Sequence, residues 1–492
     1  MRDDAGMDLS SRLGRLDAKL GDGLEAVLRR HHLRRLGNLG WTDALSVPEE
    51  PAWWSTRAPV RRGNSVDVLI DGAAALPQIE SAIRGAREYV HIAGWHAEPG
   101  FELSRGDGAT PLRDLLAEVA ERVPVRLLLW AGPPVPAFRP TRQMVKRARD
   151  EFVRDSLVEC ALDRRERTLH CHHEKIVVVD GELAFVGGID LTSLQADRHD
   201  EDSHPPRDPL GWHDVAVRLR GPAVADVARH FVQRWNDVTT DHLAQPAPPP
   251  PAGDVEVQVL RTVPEQVYTF APRGEFTILG AYLHALTAAE RFIYLENQFL
   301  WSPEVVDILS DKLAHPPSED FRLLLLLPAR PTTGADTTRG QLGRLLEADS
   351  GSRGSGRLLA TTIAAHDQDS SAPVYVHAKV GIIDDRWLTI GSANLNEHSL
   401  FNDTEMNVLT CDPDLARDTR LRLWSEHTEQ PREVVAGDPH TVIDEVWRRI
   451  AEEQVRRHHD GLPPTHRLRL LEHVSRRTDR LQGPLRGLLV DG

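Results

Sequence analysis

Cysteine, lysine and tyrosine are scarce in this chain. Its 492 residues include three cysteines, Cys160, Cys171 and Cys411, none in CxxC spacing, which excludes a disulfide framework and a cysteine-based zinc ribbon. No apolar run approaches the ~20 residues a helix needs to cross a bilayer. The longest runs, 127–130 and 323–327, are strand length. The opening MRDDAGMDLSSRLGRL has no basic-then-apolar signal pattern. A cytoplasmic chain with at most peripheral membrane contact is therefore expected. Excess positive charge is missing too: Lys+Arg 59 against Asp+Glu 74 gives −15. A dedicated nucleic-acid binder would show a net basic footprint, so no nucleic-acid partner is expected. The cations present are nearly all arginine. Only Lys19, Lys146, Lys175, Lys312 and Lys379 are lysine, and each raises the question of what arginine could not do there.

Hydrophobic residues make up 40% and charged residues 27%, the balance of a globular protein with ample core. The length suggests about two to four domains. The clearest break is QPAPPPPAGD at 245–254, where consecutive prolines exclude helix and central strand. It lies almost at mid-chain, and the two halves repeat. In the first, 66–70 reads as a strand, 76–87 as a helix and 89–95 as a strand. In the second, 255–260, 275–290 and 291–299 follow the same order. Each half continues through an apolar strand into prolines, VRLLLWAGPPVP and FRLLLLLPARP. Each then reaches a His-x-Lys strand, an acidic strand and a Trp-bearing helix. Alternating strands and helices predict an α/β fold, two duplicated lobes each built on a sheet flanked by helices. The expected organisation is an N-terminal helical extension over 1–63, lobes over 64–244 and 255–430 joined by the 245–254 linker, and an Arg-rich helical tail over 431–492. Within the extension, RRHHLRR at 29–35 reads as an ordinary surface helix face rather than a membrane patch.

The repeated motif is specific. The first half carries His173-Glu-Lys175-Ile-Val-Val-Val-Asp180 followed by Gly187-Gly188-Ile-Asp190. The second carries His377-Ala-Lys379-Val-Gly-Ile-Ile-Asp384 followed by Gly391-Ser392-Ala-Asn394. With these motifs, GWHDVAVRLRGPAV, IYLENQF and IGSANLNEHS, the chain from about 64 to 430 resembles the phospholipase D superfamily, the HKD enzymes, in its lipid-acting branch. The resemblance implies two α/β lobes with one active site at their interface. It also implies cleavage or transfer of the phosphatidyl group of a glycerophospholipid through a phosphohistidine, with water or an alcohol as acceptor and with neither metal nor other cofactor. By that resemblance His173 attacks phosphorus, while His377 protonates the leaving alcohol and then serves as base.

Strand geometry adds residue roles. Residues i and i+2 share a face, so His173 projects with Lys175 and His377 with Lys379, the lysines clamping the phosphate as point charges. Turn residues after each motif predict hairpins, with Asp190 across from His173, Gly188 across from Lys175, and Asn394 and Ser392 repeating this in the second half. Gly188 and Ser392 are then small where a phosphate comes close, Asn394 offers an amide donor, and Asp190 takes the matching position. Asp180 and Asp384 lie roughly 20 Å along the strand from their histidines, which makes them hairpin-capping and lobe-bracing residues. Each histidine needs an acceptor on its second nitrogen. The next strand of the same half supplies one, pairing His173 with Asp214 and His377 with Glu405.

Other signals are weaker. HCHH at 170–173 alternates faces along one strand and so is not expected to bind zinc. SGSRGSG at 350–356 lacks a Walker lysine and reads as a flexible loop. Trp95, Trp130 and Phe138 are candidates for an acyl-chain groove or simply for core. His398 stands where many relatives carry arginine. The segment LTSLQADRHDEDSHPPRDPL lengthens the first half before its acidic strand and is expected at the mouth of the cleft. A cardiolipin synthase-like transferase, an HKD nuclease and an inactive lipid-binding scaffold are the alternative readings.

Overall fold

The computed structural model describes residues 3–46, 52–134, 139–166, 170–330, 335–351, 356–367 and 371–471. Seven strands form the first lobe's sheet: β1 (Arg61–Ile70), β2 (Val90–Gly94), β3 (Val125–Trp130), β4 (Glu159–Asp163), β5 (Lys175–Val179), β6 (Leu183–Gly187) and β7 (Val215–Arg220). Seven more repeat them in the second: β8 (Val255–Val263), β9 (Phe292–Glu296), β10 (Arg322–Leu326), β11 (Leu358–His366), β12 (Val380–Ile383), β13 (Trp387–Gly391) and β14 (Glu405–Thr410). The spatial order is β1-β7-β6-β5-β2-β3-β4 in one and β8-β14-β13-β12-β9-β10-β11 in the other. In both, the three strands at the far end run parallel and the rest antiparallel. Internal duplication thus reaches the level of strand order and direction.

The central strands are apolar on both faces: KIVVV of β5 and LAFVG of β6 are buried throughout. A strand buried on both faces must be covered on both, and the helices do this. Gly72–Arg84, Leu112–Ala120 and Arg142–Val153 lie over the first sheet's outer face, and Thr277–Ala288 and Pro303–Ala314 over the second's. The inner faces share one continuous core, in which Phe231 and Trp235 of helix Val224–Val238 and Trp424 of helix Pro413–Thr428 are fully buried. Burying such a side chain contributes about 1.5–3 kcal/mol each, so this shared core binds the lobes together.

The sheets also meet edge to edge. β1 pairs antiparallel with β8, Arg61 opposite Val257 and Asn64 opposite Val255. Buried Asn64 stitches the seam, donating to the carbonyls of Arg61 (2.7 Å) and Val255 (3.1 Å) and accepting from Ala223 N–H (2.8 Å). The Pro-rich stretch 245–252 runs without helix or strand.

The flanking segments are tied to the second lobe. In the first helix, Asp3–Leu39, His32 stacks on Phe401 and lies 2.6 Å from Glu304, while Arg35 forms an ion pair with Glu265 at 2.6 Å. Part of the RRHHLRR face is therefore turned into the protein. The C-terminal region differs from the helical tail expected: after helix Arg449–His459, Leu468–Leu470 adds a strand antiparallel to β11, extending the second sheet. Among the described residues no helix is long and apolar enough to cross a membrane.

Candidate active site

Each His-x-Lys segment is zipped to the opposite lobe. The N–H groups of His173 and Glu174 both donate to the carbonyl of Thr404, at 2.9 and 3.0 Å. In mirror fashion those of His377 and Ala378 donate to the carbonyl of His213, at 2.8 and 3.1 Å. Two short parallel strands, Trp212–His213 and Tyr375–Val376, extend one seam, and a bridge between His172 and Thr404 marks the other. The entry to each acidic strand thus lies beside the histidine of the other half.

That seam overturns the expected histidine–acid pairs. His173 Nδ1 lies 3.0 Å from Glu405 Oε1, and His377 Nδ1 lies 2.6 Å from Asp214 Oδ2. Pairing within a half assumed that neighbours in sequence are neighbours at the site. The interface exchanges them. With Nδ1 engaged on a carboxylate, chemistry is directed to Nε2 of each ring.

His173 and His377 line one narrow pocket with Trp95, Asp190, Gln195, Trp212 and Gln298. Lys175 Nζ donates to the carbonyl of His173 (2.7 Å) and lies 3.2 Å from Asp190 Oδ2. Lys379 Nζ donates to the carbonyl of His377 and to Gln298 Oε1 (3.3 Å), which also accepts from Asn394 Nδ2 (3.3 Å). Gln298 in turn donates to the Tyr375 hydroxyl at 2.9 Å. Trp212 stacks against the His377 ring with centroids 4.1 Å apart, and the Arg198 guanidinium lies 3.4 Å over the Trp212 ring.

Burial, with Lys379, Arg198, Lys175 and His173 around it, holds the His377 imidazole well below its usual range, so its resting form is neutral. Burial pushes the Asp214 carboxyl up to about 6, opposed chiefly by Lys379. It also raises Glu405 well above the usual carboxylate range, opposed chiefly by Lys175. Arg198 is lowered to about 10 by burial, offset by Asp190 and Asp214.

The hairpins form one residue out of the expected register. Lys175 pairs with Gly187 rather than Gly188, and Val380 with Ile390. Three residues close each hairpin, with Asp180 (φ 57) and Gly181 (φ 67) in the first and Asp384 (φ 56) and Asp385 (φ 52) in the second in the left-handed region. Asp190 consequently reaches Lys175 instead of facing His173. Asp180 accepts the backbone N–H groups of Arg87, Glu88 and Tyr89, and Asp384 those of Glu290, Arg291 and Phe292.

Beside Gly188 and Ser392, where the sequence predicts close approach of a phosphate, the structure places another neighbour. A Cβ on Gly188 would sit 2.1 Å from Asp214 Oδ1, and the Ser392 hydroxyl donates to Glu405 Oε2. Both positions are small because the acid that holds a histidine occupies the space beside them. Trp95 and Trp130 stack at 6.4 Å and are buried with Cys171, so Trp130 is core, while Trp95 also reaches the pocket. Phe138 lies outside the described residues, as does part of the SGSRGSG loop. The HCHH run spreads over different surroundings. His170 faces His398 (3.1 Å), Cys171 packs with the tryptophans, and His172 faces Thr404 (2.9 Å) and Asp163 (3.2 Å).

Two family models match the chain, one to each half: one described as Phospholipase D over residues 82–206, the other as Cardiolipin synthase, PLD-like domain, over 282–424. The chain belongs to the phospholipase D superfamily. It is 26% identical to Phospholipase D1 of Schizosaccharomyces pombe over 80% of this chain and 38% of that protein. It is 27% identical to Phospholipase D2 of Bos taurus over 73% of this chain and 50% of that one. It therefore spans half or less of these relatives' length. A phosphatidylserine synthase of Haemophilus influenzae Rd KW20 superposes with TM-score 0.49 at 13% identity, covering 81% of this chain and 96% of that one.

In and behind this phospholipase D-superfamily pocket, Gln195, Trp212, Gln298 and Arg198 escaped sequence reasoning. Trp212 and Gln298 sit inside the WHDV and ENQF segments, where the flanking acidic and aromatic residues drew attention. Arg198 comes from the segment between β6 and β7 expected to border the cleft, and nothing in its spacing distinguishes it from the other arginines.

Proposed function

We propose that this chain is a phospholipase D-type phosphodiesterase that cleaves or transfers the phosphatidyl group of a glycerophospholipid. The observation that carries the reading is the pair of histidines in one pocket, each held through Nδ1 by a carboxylate from the opposite lobe and each followed by a buried lysine. In the first step the lone pair of His173 Nε2 attacks phosphorus. The bond to the leaving alcohol oxygen breaks, and that oxygen takes a proton from His377 Nε2, which picks that proton up from solvent when the bound phosphodiester's charge offsets the surrounding cations. In the second step His377 removes a proton from water or an acceptor alcohol as that oxygen attacks. The P–N bond then breaks and its electron pair returns to His173. Lys175 and Lys379 stabilise charge on the non-bridging oxygens, with Asn394 as an amide donor. Neutral His377 suits the base of the second step, and the phosphodiester's own charge offsets the surrounding cations when it binds. The working setting is a cytoplasmic enzyme that meets its lipid at a membrane face, in keeping with cysteines too few and too scattered for a disulfide framework.

The same neutrality favours a second reading in which the roles are exchanged and His377 attacks. Mapping the trapped phosphohistidine by mass spectrometry decides between them. For the activity itself, the pure protein is incubated separately with phosphatidylcholine, phosphatidylglycerol and single-stranded DNA, with and without ethanol. Phosphatidylethanol is the expected product; cleaved DNA beside untouched lipid would sink the lipid reading in favour of a nuclease. Cardiolipin formed from phosphatidylglycerol without hydrolysis would instead mark a dedicated transferase.

A further inference from the structure

Behind Asp214, on the side away from the pocket, lies a second polar centre that the proposed reaction does not use. Asp71, His204 and His213 from the first lobe and Glu426 from helix Pro413–Thr428 of the second bring four ligand atoms within 4.8 Å of one another. His213 Nδ1 lies 2.9 Å from Asp71 Oδ1 and 3.4 Å from Glu426 Oε1. His204 Nε2 lies 3.2 Å from Glu426 Oε1 and 3.9 Å from Asp71 Oδ2. Four ligands at 2.0–2.2 Å around a tetrahedral ion stand roughly 3.3–3.6 Å apart, the middle of this range.

The surroundings are built as metal sites are. A ligating imidazole is ordinarily fixed by a carboxylate on its other nitrogen. Here His204 Nδ1 lies 2.9 Å from Asp200 Oδ2, and His213 Nε2 lies 2.9 Å from Glu296 Oε2. Both arrangements turn the remaining ring nitrogen toward the cluster. Asp71 is 1% exposed, and its Oδ2 has no hydrogen-bond partner among the described residues although it is turned toward this centre. Four carboxylates, Asp71, Asp200, Glu296 and Glu426, thus gather in a dry interior around three imidazoles, His204, His213 and His427, the last 3.0 Å from Glu296 Oε1, with Arg207 3.3 Å from Asp200 Oδ1.

We propose that Asp71, His204, His213 and Glu426 bind one divalent cation of the zinc class as a structural site that staples the two lobes. Two imidazoles and two carboxylates in a closed four-ligand set suit that ion. Chemistry at phosphorus does not need it. Its consequence for the pocket is positional, because His213 precedes Asp214 and its carbonyl holds the His377 backbone.

The test measures metal rather than lipid turnover, so its outcome is independent of the proposed activity. Elemental analysis of the full chain, purified without added metal, should give about one zinc-class ion per chain. Prolonged dialysis against a strong chelator should remove it and lower Tm by roughly 5–10 °C, with recovery on adding Zn²⁺ alone. His204→Gln and Glu426→Gln should each lose the ion, while His315→Gln, at an exposed histidine elsewhere, should keep it. Where a variant fails to fold, titration of the metal-free wild type with Zn²⁺ against a chromophoric chelator still decides. Folded wild type that carries no ion and takes up neither Zn²⁺ nor Mn²⁺ would overturn the proposal. Protons on His204 and His213 would then be what balances the carboxylates.

Discussion

The two half-sites are built alike and furnished differently. On one side Glu405 holds His173 and is itself held by two hydroxyls, Ser392 and Ser399, the latter at 2.5 Å. On the other Asp214 holds His377 and takes its support from the backbone, accepting from Val215 N–H at 2.9 Å, with no side chain at Gly188. The shorter acid goes with the residue lacking a side chain and the longer acid with the serine. An aromatic–cation stack of Trp212 and Arg198 covers the His377 ring. Two copies of one lobe have therefore diverged around their histidines, with the more strongly cationic side around His377.

Removing either histidine breaks the comparison hardest. His173→Ala and His377→Ala should each lower turnover of a natural phospholipid by about 10³-fold or more, with the fold intact by circular dichroism. A nitrophenyl phosphodiester, whose leaving group needs no proton, separates them. It should restore bond cleavage by His377→Ala in a single turnover and leave His173→Ala inactive. The opposite pattern would exchange the two roles.

Next in size are the acids, which test the crossing of the lobes. Asp214→Asn and Glu405→Gln should each cost about 10²-fold, because an amide no longer fixes the imidazole tautomer. The crossed pairs make Glu405→Gln slow the phosphohistidine burst with the nitrophenyl ester. Asp214→Asn should spare that burst and slow only substrates with a poor leaving group. If Asp214→Asn suppresses the burst, the acid acts on the histidine of its own half after all.

The crossing also explains what the sequence could and could not reveal. The duplication, the alternation of strands and helices and the two His-x-Lys segments are local patterns, and they were legible because hydrophobic period and exact motif repetition need no knowledge of how the lobes meet. The partner of each histidine depends on that meeting. The backbone seams at Thr404 and His213 bring Glu405 to His173 and Asp214 to His377, and no spacing along the chain encodes this. The hairpin register was missed for a smaller reason. Asp180, Asp384 and Asp385 adopt positive φ without being glycine, and nothing in their identity marks the extra turn residue that shifts the register by one. Arg198 was invisible because its value lies in stacking on Trp212 from a long irregular segment.

Gly188→Ala probes the half-site that leans on backbone. The added methyl would lie 2.1 Å from Asp214 Oδ1 and 2.8 Å from its Cγ, so the carboxylate must move away from His377 Nδ1. Turnover of a phospholipid should fall by roughly 30-fold, with burst formation on the nitrophenyl ester preserved as in Asp214→Asn. A glycine kept small for the phosphate would instead raise KM for every substrate and weaken the burst.

Ser392→Ala is the matching change in the other half and the mildest. It removes one hydroxyl donor to Glu405 and creates no overlap, leaving Ser399 and His173 on the same carboxylate. Loss of one buried hydrogen bond costs about 0.5–1.5 kcal/mol, at most roughly tenfold in rate, and the remaining donors keep the acid in place. That effect should appear in the burst, the step assigned to His173, and not in its dependence on the leaving group. Ser392→Gly, which empties the position as Gly188 does, should behave like Ser392→Ala. If it restores full activity, the hydroxyl has no part in holding Glu405, and the serine is there only because it is small.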